Sequence, residues 1–348
     1  MRIGDAVSTY AADEAVLRTQ TQRVWMGILL LALVLFPLVA SPYLLYLGVL
    51  IGISVISATG LNILTGFTGQ ISLGHAAFMG VGAYTAAWLA NTWGLPLVVT
   101  LPAAGLVTAA VGMVVGLPSL RVKGLYLAIA TMAASVILHF VFVHWKWITG
   151  GNDGLNLGNA ALLLGRKLDS DLRMYSVVIP LAMLAVMGAR NLLRTRVGRA
   201  FIAVRDRDIS AEVLGVNLLR YKLMAFGISS FYAGCAGALW AYFFKVVTPD
   251  SFPLEVSIFY LAAIIVGGMG TVLGPIIGAA FMTLVPELLR ALTLVLEPVW
   301  PNAQVHLSPM RGVVFGALIV GFLLFEPHGL AEIWKRIQRY FRLWPFKT

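Results

Sequence analysis

Long apolar runs separated by short polar segments make up most of the chain after residue 24. A helix needs about 20 apolar residues to cross the hydrocarbon core of a bilayer, and shorter runs suffice inside a bundle. The pattern therefore predicts an all-α integral membrane protein with about ten transmembrane helices and discontinuous Gly-rich elements. The predicted spans are 25–40, 43–64, 71–90, 95–117, 125–143, 174–187, 223–244, 258–266, 275–289 and 313–325.

The composition agrees with a membrane protein. The 348 residues are 59% hydrophobic and 11% charged, whereas a soluble domain is about one-quarter charged. The net charge is +10, but the basic residues fall between the spans. We therefore expect them to set the orientation and to contact anionic lipid, and we expect no nucleic-acid partner. Cys235 is the only cysteine, which excludes an intrachain disulfide and a cysteine metal site.

The distribution of Lys and Arg predicts the orientation. If both termini are cytoplasmic, 18 of the 25 Lys and Arg residues fall in cytoplasmic segments, which agrees with the positive-inside rule. The chain then divides into a cytoplasmic N-terminal segment 1–24, a transmembrane domain 25–327 with a large cytoplasmic loop 190–222, and a cytoplasmic basic tail 328–348. The tail fits an interfacial helix on an anionic leaflet, and a solvated tail is the open alternative.

The sequence lacks the residues that several classes of function require. No Asp, Glu or Lys lies in the middle of a predicted span, which counts against a proton- or sodium-coupled carrier. The sequence contains no HExxH or GxSxG motif and no redox-metal cluster, so we expect no catalytic residue, no metal and no enzyme activity. It also lacks a GxxxxGK[ST] loop, so we expect no cofactor in this chain. Any uphill transport would need a second polypeptide to bind ATP.

Two glycine-rich segments interrupt the apolar pattern. The first, 60–75, combines glycines with uncharged polar residues, and irregular backbone persists at membrane depth only where protein buries it or water lines it. It is either a discontinuous element lining a substrate pathway or a tightly packed helix hairpin. The candidate pathway residues are Asn62, Thr65, Thr68, Gln70, Ser72 and His75. In the second segment, 267–275, the four-residue spacing of Gly270, Gly274 and Gly278 favours helix packing.

The cytoplasmic loop 190–222 is rich in arginine, and we name it the arginine-rich loop. It contains a short helix, predicted over 208–215. Asp206 or Asp208 can act as its N-cap, and Gly215 as the left-handed residue at its end. Ala211 and Gly215 leave a face of small residues, which suits a groove on a soluble domain. A solvated loop helix is the alternative.

Two further segments, 149–155 and 248–252, are predicted to lie outside the membrane. Both are rich in turn-forming residues. They are either a docking surface for an extracytoplasmic partner or plain turns.

At these residues the chain resembles the permease subunits of branched-chain amino acid ABC importers, the LivM type. The matching segments are 60–84, 150–155, 205–223, 247–252 and 266–279. The resemblance implies the ABC-importer permease fold and a bacterial inner-membrane location. It also implies a second permease subunit of the LivH type, two ATPase subunits that bind the ATP, a periplasmic substrate-binding protein and surrounding membrane lipid.

The resemblance also suggests roles for particular residues. In that family the loop helix docks on the ATPase and has the form Ala-Ala-x3-Gly, from which Ser210 departs here. ATPase coupling is thereby assigned to Arg205, Asp208, Ala211, Glu212 and Gly215. Docking of the binding protein is assigned to Asn152, Asp153 and Asp250.

The expected function is ATP-driven import of branched-chain or other hydrophobic amino acids. The candidate pathway has no charge, and its neutral polar groups lie beside Phe67 and Phe78, which fits a zwitterion with an apolar side chain. Relatives of this type also carry urea, amides and aromatic acids. A passive channel or secondary carrier is the alternative from a different class, and a membrane enzyme ranks third.

Overall fold

A computed structural model describes residues 20–118, 122, 124–157, 162, 163, 166–168, 170–296, 312, 313, 316, 317, 319–322, 324–326 and 329–343. Within these residues the regular structure is almost entirely helical. The helices, in chain order, are α1 (Gln20–Val39), α2 (Pro42–Leu61), α3 (His75–Trp93), α4 (Leu97–Gly116), α5 (Leu125–His144), α6 (Lys146–Thr149), α7 (Asp171–Arg194), α8 (Arg196–Asp206), α9 (Asp208–Val213), α10 (Leu218–Phe244), α11 (Leu254–Gly267), α12 (Gly274–Leu296) and α13 (Leu330–Leu343).

Short strands and turns connect some of these helices. The strands are β1 (Leu155–Asn156), β2 (Leu162–Leu163), β3 (Arg166–Lys167) and β4 (Val246–Val247). β1 pairs antiparallel with β4, and β2 pairs antiparallel with β3. A π-helix, Asn62–Gly66, continues α2, and 3-10 turns cover Gly151–Asp153 and Pro249–Ser251.

Seven helical stretches among the described residues are long and apolar enough to cross a membrane. They are Pro42–Gly66, Leu97–Gly116, Leu125–His144, Asp171–Arg194, Leu218–Phe244, Pro249–Gly267 and Gly274–Ala291. They correspond to seven of the predicted spans. The short predicted spans 174–187 and 258–266 lie within longer helical stretches. Polar residues extend the ends of these helices beyond the apolar core.

The other three predicted spans differ from these seven. α1 contains a shorter apolar helix, Val24–Val39. The prediction 71–90 corresponds to α3, which begins at His75 because the residues before it are non-helical. The prediction 313–325 lies partly outside the described residues, and the residues described within it are helical. The count of ten spans therefore stays a prediction.

α10 lies at the centre of the bundle and packs against α2, α3 and α4. Many of its buried positions are small, including Ala233, Gly234, Ala236, Gly237, Ala238 and Ala241. Small residues let helix backbones approach closely, which matters in lipid because lipid tails are as apolar as the side chains. A Cβ on Gly82 of α3 would overlap the backbone of Gly234, and one on Gly237 would overlap the carbonyl of Met79. This packing fixes the position of α3.

α11 and α12 form a second close pair, joined by the second glycine-rich segment. A Cβ on Gly278 would overlap the carbonyl of Ala263, so the packing predicted for this spacing is present there. Gly270 precedes the helix, since α12 begins at Gly274. Residues 330–343 of the basic tail form α13, which packs against α11 and α12.

Candidate functional site

The first glycine-rich segment is a break between α2 and α3. α2 continues as the π-helix Asn62–Gly66, and the chain is non-helical from Gly69 until α3 begins at His75. The backbone amide of Leu73 donates to Oγ1 of Thr131 on α5 at 2.9 Å. Breaks of this kind leave backbone groups free for other partners. The structure therefore contains the discontinuous element that the glycines predict.

Asn62 joins the two glycine-rich segments. Its Nδ2 donates to the Thr271 carbonyl at 2.9 Å, and its Oδ1 accepts from the Gly270 amide at 2.9 Å. The side chain is 1% exposed, and backbone groups satisfy both of its polar ends. We name the contact region formed by Asn62, Gly66, Gly69, Gly270 and Thr271 the glycine-rich junction.

Thr65, Thr68 and Gln70 are buried beside this junction. Thr65 Oγ1 donates to the Gln70 carbonyl at 3.1 Å, and Gln70 Nε2 donates to Thr68 Oγ1 at 3.0 Å. The Thr68 hydroxyl in turn donates to the Leu64 carbonyl. These bonds stabilise the break itself, as the packing interpretation predicts.

Ser72 and His75 lie further along the break and are also buried. Ser72 Oγ accepts from the Gly74 amide at 3.3 Å, and His75 Nε2 donates to the Ser57 carbonyl at 3.0 Å. Among the described residues, Gln70 Oε1 and His75 Nδ1 are buried polar atoms without a hydrogen-bond partner. Such atoms are costly, so these two positions keep the pathway interpretation open.

Arg205 of α8 contacts the same break. Its Nη1 donates to the Gly66 carbonyl at 3.0 Å, and its Nε pairs with Asp206 Oδ1 at 2.9 Å. A Cβ on Gly69 would lie 3.1 Å from Arg205 Cγ. A helix end leaves carbonyls unpaired and carries the negative end of the helix dipole, which a guanidinium satisfies. The arginine-rich loop is therefore in direct contact with the glycine-rich junction.

A polar cavity of about 240 Å³ lies beside this contact. Its lining includes Thr68, Gln70, Arg205, Asp208 and Lys222. Residues of the arginine-rich loop and of the break thus share one polar space.

α9 confirms the short helix predicted in the arginine-rich loop. Gly215 follows it with φ +88°, the left-handed conformation expected there. The predicted N-cap is wrong, because Arg207 occupies that position and Asp208 is the first helical residue. Asp208 Oδ1 accepts from the Ile209 amide at 2.9 Å instead.

The exposed face of α9 consists of large apolar side chains, not of the small side chains predicted there. Ala211 is only 2% exposed, so it does not form the predicted exposed face, whereas Ile209, Val213 and Leu214 are 71%, 83% and 83% exposed. Glu212 is also exposed. Exposed apolar side chains that lie together are typical of protein or membrane interaction sites. We name Ile209, Val213 and Leu214 the α9 apolar face.

The two predicted outside segments meet at the opposite end of α10. β1 pairs with β4, with Leu155 opposite Val247. Asn152 and Asp153 precede β1, Asp250 follows β4, and all three are exposed. Because the strands are antiparallel, these residues flank the same end of the ladder. The predicted docking residues therefore share one surface.

A cavity that the sequence did not predict lies near this end, between α3, α10 and α11. Its volume is about 460 Å³. We name it the outer pocket, and its lining residues are Met79, Trp240, Ser251, Phe252, Glu255, Val256, Phe259 and Tyr260. Glu255 supplies the one carboxylate in this lining. An acid at the start of an apolar run was the sequence signal that could have indicated this pocket.

Comparison with known proteins places the chain among transport permeases. The family model described as "Branched-chain amino acid transport system / permease component" matches residues 43–323. The high-affinity branched-chain amino acid transport system permease protein LivM of Salmonella typhimurium is 31% identical over 335 residues, covering 90% of this chain and 75% of that protein. The protein of the same name from Escherichia coli gives the same identity and coverage.

A more distant relative carries a different name. The autoinducer 2 import system permease protein LsrC of Salmonella typhimurium is 26% identical over 252 residues, covering 69% of this chain and 67% of that protein. No solved structure matches the chain. Since the family model covers most of the helical bundle, including both glycine-rich segments and the arginine-rich loop, the chain belongs to the family of branched-chain amino acid transport system permease components.

Proposed function

We propose that this permease translocates branched-chain and other hydrophobic amino acids as part of an ATP-driven ABC importer. The observation that carries the proposal is the similarity to two LivM proteins over 90% of the chain. Both are named for high-affinity transport of branched-chain amino acids. A permease named for autoinducer 2 import also matches, at lower identity. The experiment below therefore tests the substrate as well as the transport.

The outer pocket supports an amino acid as the substrate. Small-molecule sites have volumes of about 300–1,000 Å³, mostly apolar walls and a few polar groups, and the outer pocket has this size and character. Trp240, Phe259 and Val256 suit an aliphatic side chain. The Glu255 carboxylate suits an ammonium group, because the two form a charge-assisted hydrogen bond.

The α9 apolar face supports an ATPase partner. The sequence has no P-loop, so ATP is bound and hydrolysed by separate subunits in this proposal and the chain itself needs no cofactor. α9 offers exposed apolar side chains to a groove on such a subunit. The complete importer would contain two ATPase subunits and a second permease subunit of the LivH type.

The surface beside β1 and β4 supports a periplasmic partner. Asp153 and Asp250 are exposed and adjoin one ladder, and charged rims of this kind steer and orient a binding partner. We assign this surface to the substrate-binding protein. The importer then lies in a bacterial inner membrane with both termini cytoplasmic, and α13 contacts anionic lipid through its basic residues.

Reconstitution tests the proposal. The permease, its second permease subunit and the ATPase subunits would be placed in vesicles, with the binding protein and labelled leucine outside. We expect uptake that requires ATP and that unlabelled isoleucine and valine reduce. An otherwise identical complex with inactivated ATPase subunits is the control. Uptake that persists in this control would indicate a passive channel, and competition by urea or benzoate but not by valine would reject the substrate assignment.

A further inference from the structure

At the glycine-rich junction a charged side chain of the arginine-rich loop, Arg205, bonds to the break between α2 and α3. Within the junction, Asn62 holds Gly270 and Thr271 against the π-helix. A Cβ on Gly270 would lie 3.0 Å from the Gly66 carbonyl oxygen. The two glycine-rich segments are thus bonded to and packed against each other.

The Arg205 guanidinium lies where these two segments meet. Nη1 donates to the Gly66 carbonyl at 3.0 Å, and a Cβ on Gly270 would lie 2.8 Å from this same nitrogen. The side-chain stem packs against Gly69. The absence of side chains at these glycines makes room for Arg205, since a Cβ at Gly69 would press on its aliphatic stem and one at Gly270 would press on its guanidinium.

Arg205 is also joined to the segment that carries α9. It lies in the last turn of α8, and its Nε pairs with Asp206 at 2.9 Å. α9 begins at Asp208 and packs against α8. Two residues thus separate Arg205 from the start of α9, and a charge-assisted hydrogen bond joins it to Gly66.

We infer that Arg205 is the positioning residue that transmits movement of the ATPase-docking segment to the glycine-rich junction and so opens or closes the permease at that end. This inference rests on the proposed function, because it takes the α9 apolar face as the ATPase contact. In this inference Arg205 acts through the junction and not by contact with ATP or substrate. Its effect is on the coupling between ATP hydrolysis and transport.

The test compares uptake and ATP hydrolysis in the same reconstituted importer. We expect Arg205→Ala to lower substrate uptake at least about tenfold, the effect of losing a charge-assisted hydrogen bond, while ATP hydrolysis stays within about twofold of the parent. The ratio of ATP hydrolysed to substrate transported then rises. A residue with a purely structural role would lower both rates together, and that result would overturn the inference.

Arg199→Ala is the matched control. Arg199 is an exposed residue of the same helix, so this variant removes the same charge without changing the junction, and its ratio should equal that of the parent. Arg205→Lys keeps a donor for the Gly66 carbonyl, and we expect it to retain more coupling than Arg205→Ala. Equal ratios for Arg205→Ala and Arg199→Ala would reject the role of Arg205.

A second variant approaches the same contact from the other side. A Cβ on Gly66 would lie 2.6 Å from the Gly270 amide nitrogen, so Gly66→Ala should separate the two segments and reproduce the raised ratio. This keeps the inference testable if Arg205→Ala is not inserted into the membrane. If the parent complex shows no ATP-driven uptake, the proposed function fails. If the parent transports and both variants remain coupled, only the inference fails.

Discussion

At the scale of single residues, buried amides and hydroxyls hold broken backbone in place inside this bundle. A helix break exposes peptide groups that lipid cannot satisfy, so protein groups must bond them. Asn62 does this for Gly270 and Thr271, and Thr65 does it for Gln70. Each of these bonds constrains a segment that has no helical ladder of its own.

Replacement of Asn62 should therefore affect stability before it affects substrate recognition. We expect Asn62→Ala to lower the free energy of unfolding by about 1–3 kcal/mol, because it leaves two partly buried backbone groups without these partners. Asn62→Asp should be worse, since it places a carboxylate oxygen against the Thr271 carbonyl. Thermal unfolding in detergent measures both variants. Asn191→Ala, at an exposed position, is the control, and an Asn62→Ala protein as stable as this control would contradict the expectation.

The outer pocket gives a residue-scale prediction about the substrate. Trp240 lines it together with Glu255, so Trp240→Ala removes apolar contact and Glu255→Gln removes the negative charge. We expect each to reduce leucine uptake by roughly tenfold, which corresponds to about 1.4 kcal/mol, with unchanged assembly of the complex. Trp334→Ala, on α13, serves as the aromatic control. Normal leucine uptake in both pocket variants would show that substrate does not bind there.

The residues around the break show what a sequence reveals at this scale. Uncharged polar groups among glycines are unusual in an apolar span, so the sequence alone identifies 60–75 as a candidate discontinuous element. The partners of Asn62 could not be identified in this way, because Gly270 and Thr271 are 208 and 209 residues away in the chain. No local pattern encodes contacts at that separation. For the outer pocket, Glu255 at the start of an apolar run was a local signal, but the sequence does not show that three separate helices meet around it.

At the scale of elements, α9 has two distinct sides. One side packs against α8 and α10 and buries Ala211, while the other presents the α9 apolar face. A six-residue helix has little stability of its own, so the buried side fixes the helix and leaves the apolar face for a partner. A bulky residue at Ala211 would disturb this packing as well as any docking, which makes that position a poor test of the interface.

Val213 is the better test of ATPase docking. Burying a Val side chain contributes about 1.5–3 kcal/mol, so Val213→Asp should weaken binding of the ATPase subunits by more than about tenfold. Ser210→Ala changes another exposed position of α9 and should leave binding unchanged. Co-purification of tagged permease with the ATPase measures both variants. Equal recovery of ATPase with Val213→Asp and with the parent would exclude the α9 apolar face as the contact.

Helix ends were harder to place than helices. The apolar run 174–187 predicted the middle of α7, but the helix reaches Arg194 because Arg and Asn are compatible with helix beyond the apolar core. α3 begins later than predicted, since the break before it includes Ile71 and Leu73, which are apolar but not helical. Hydropathy reports which residues favour lipid, whereas the helix ends depend on caps and tertiary bonds.

At the scale of the whole molecule, charge separates the two ends of the bundle. The end that carries α8 and α9 has Arg194, Arg196, Arg199 and Arg205 among its basic residues, and the opposite end has exposed Asp153 and Asp250. The glycine-rich junction lies at the first end and the outer pocket near the second. A substrate entering at the end that carries β1 and β4 would therefore meet the outer pocket before the junction.

The orientation of this charge asymmetry is testable with reporter fusions. Because Lys and Arg are retained on the cytoplasmic side during insertion, a fusion at Lys347 and one beside Asp208 should both give a cytoplasmic signal, and one beside Asp153 should give a periplasmic signal. Each site would carry both a reporter active only in the cytoplasm and one active only in the periplasm, so that poor expression cannot imitate a result. A periplasmic signal beside Asp208 would invert the bundle. It would also place the α9 apolar face on the side without ATP, which would remove the basis for ATPase docking there.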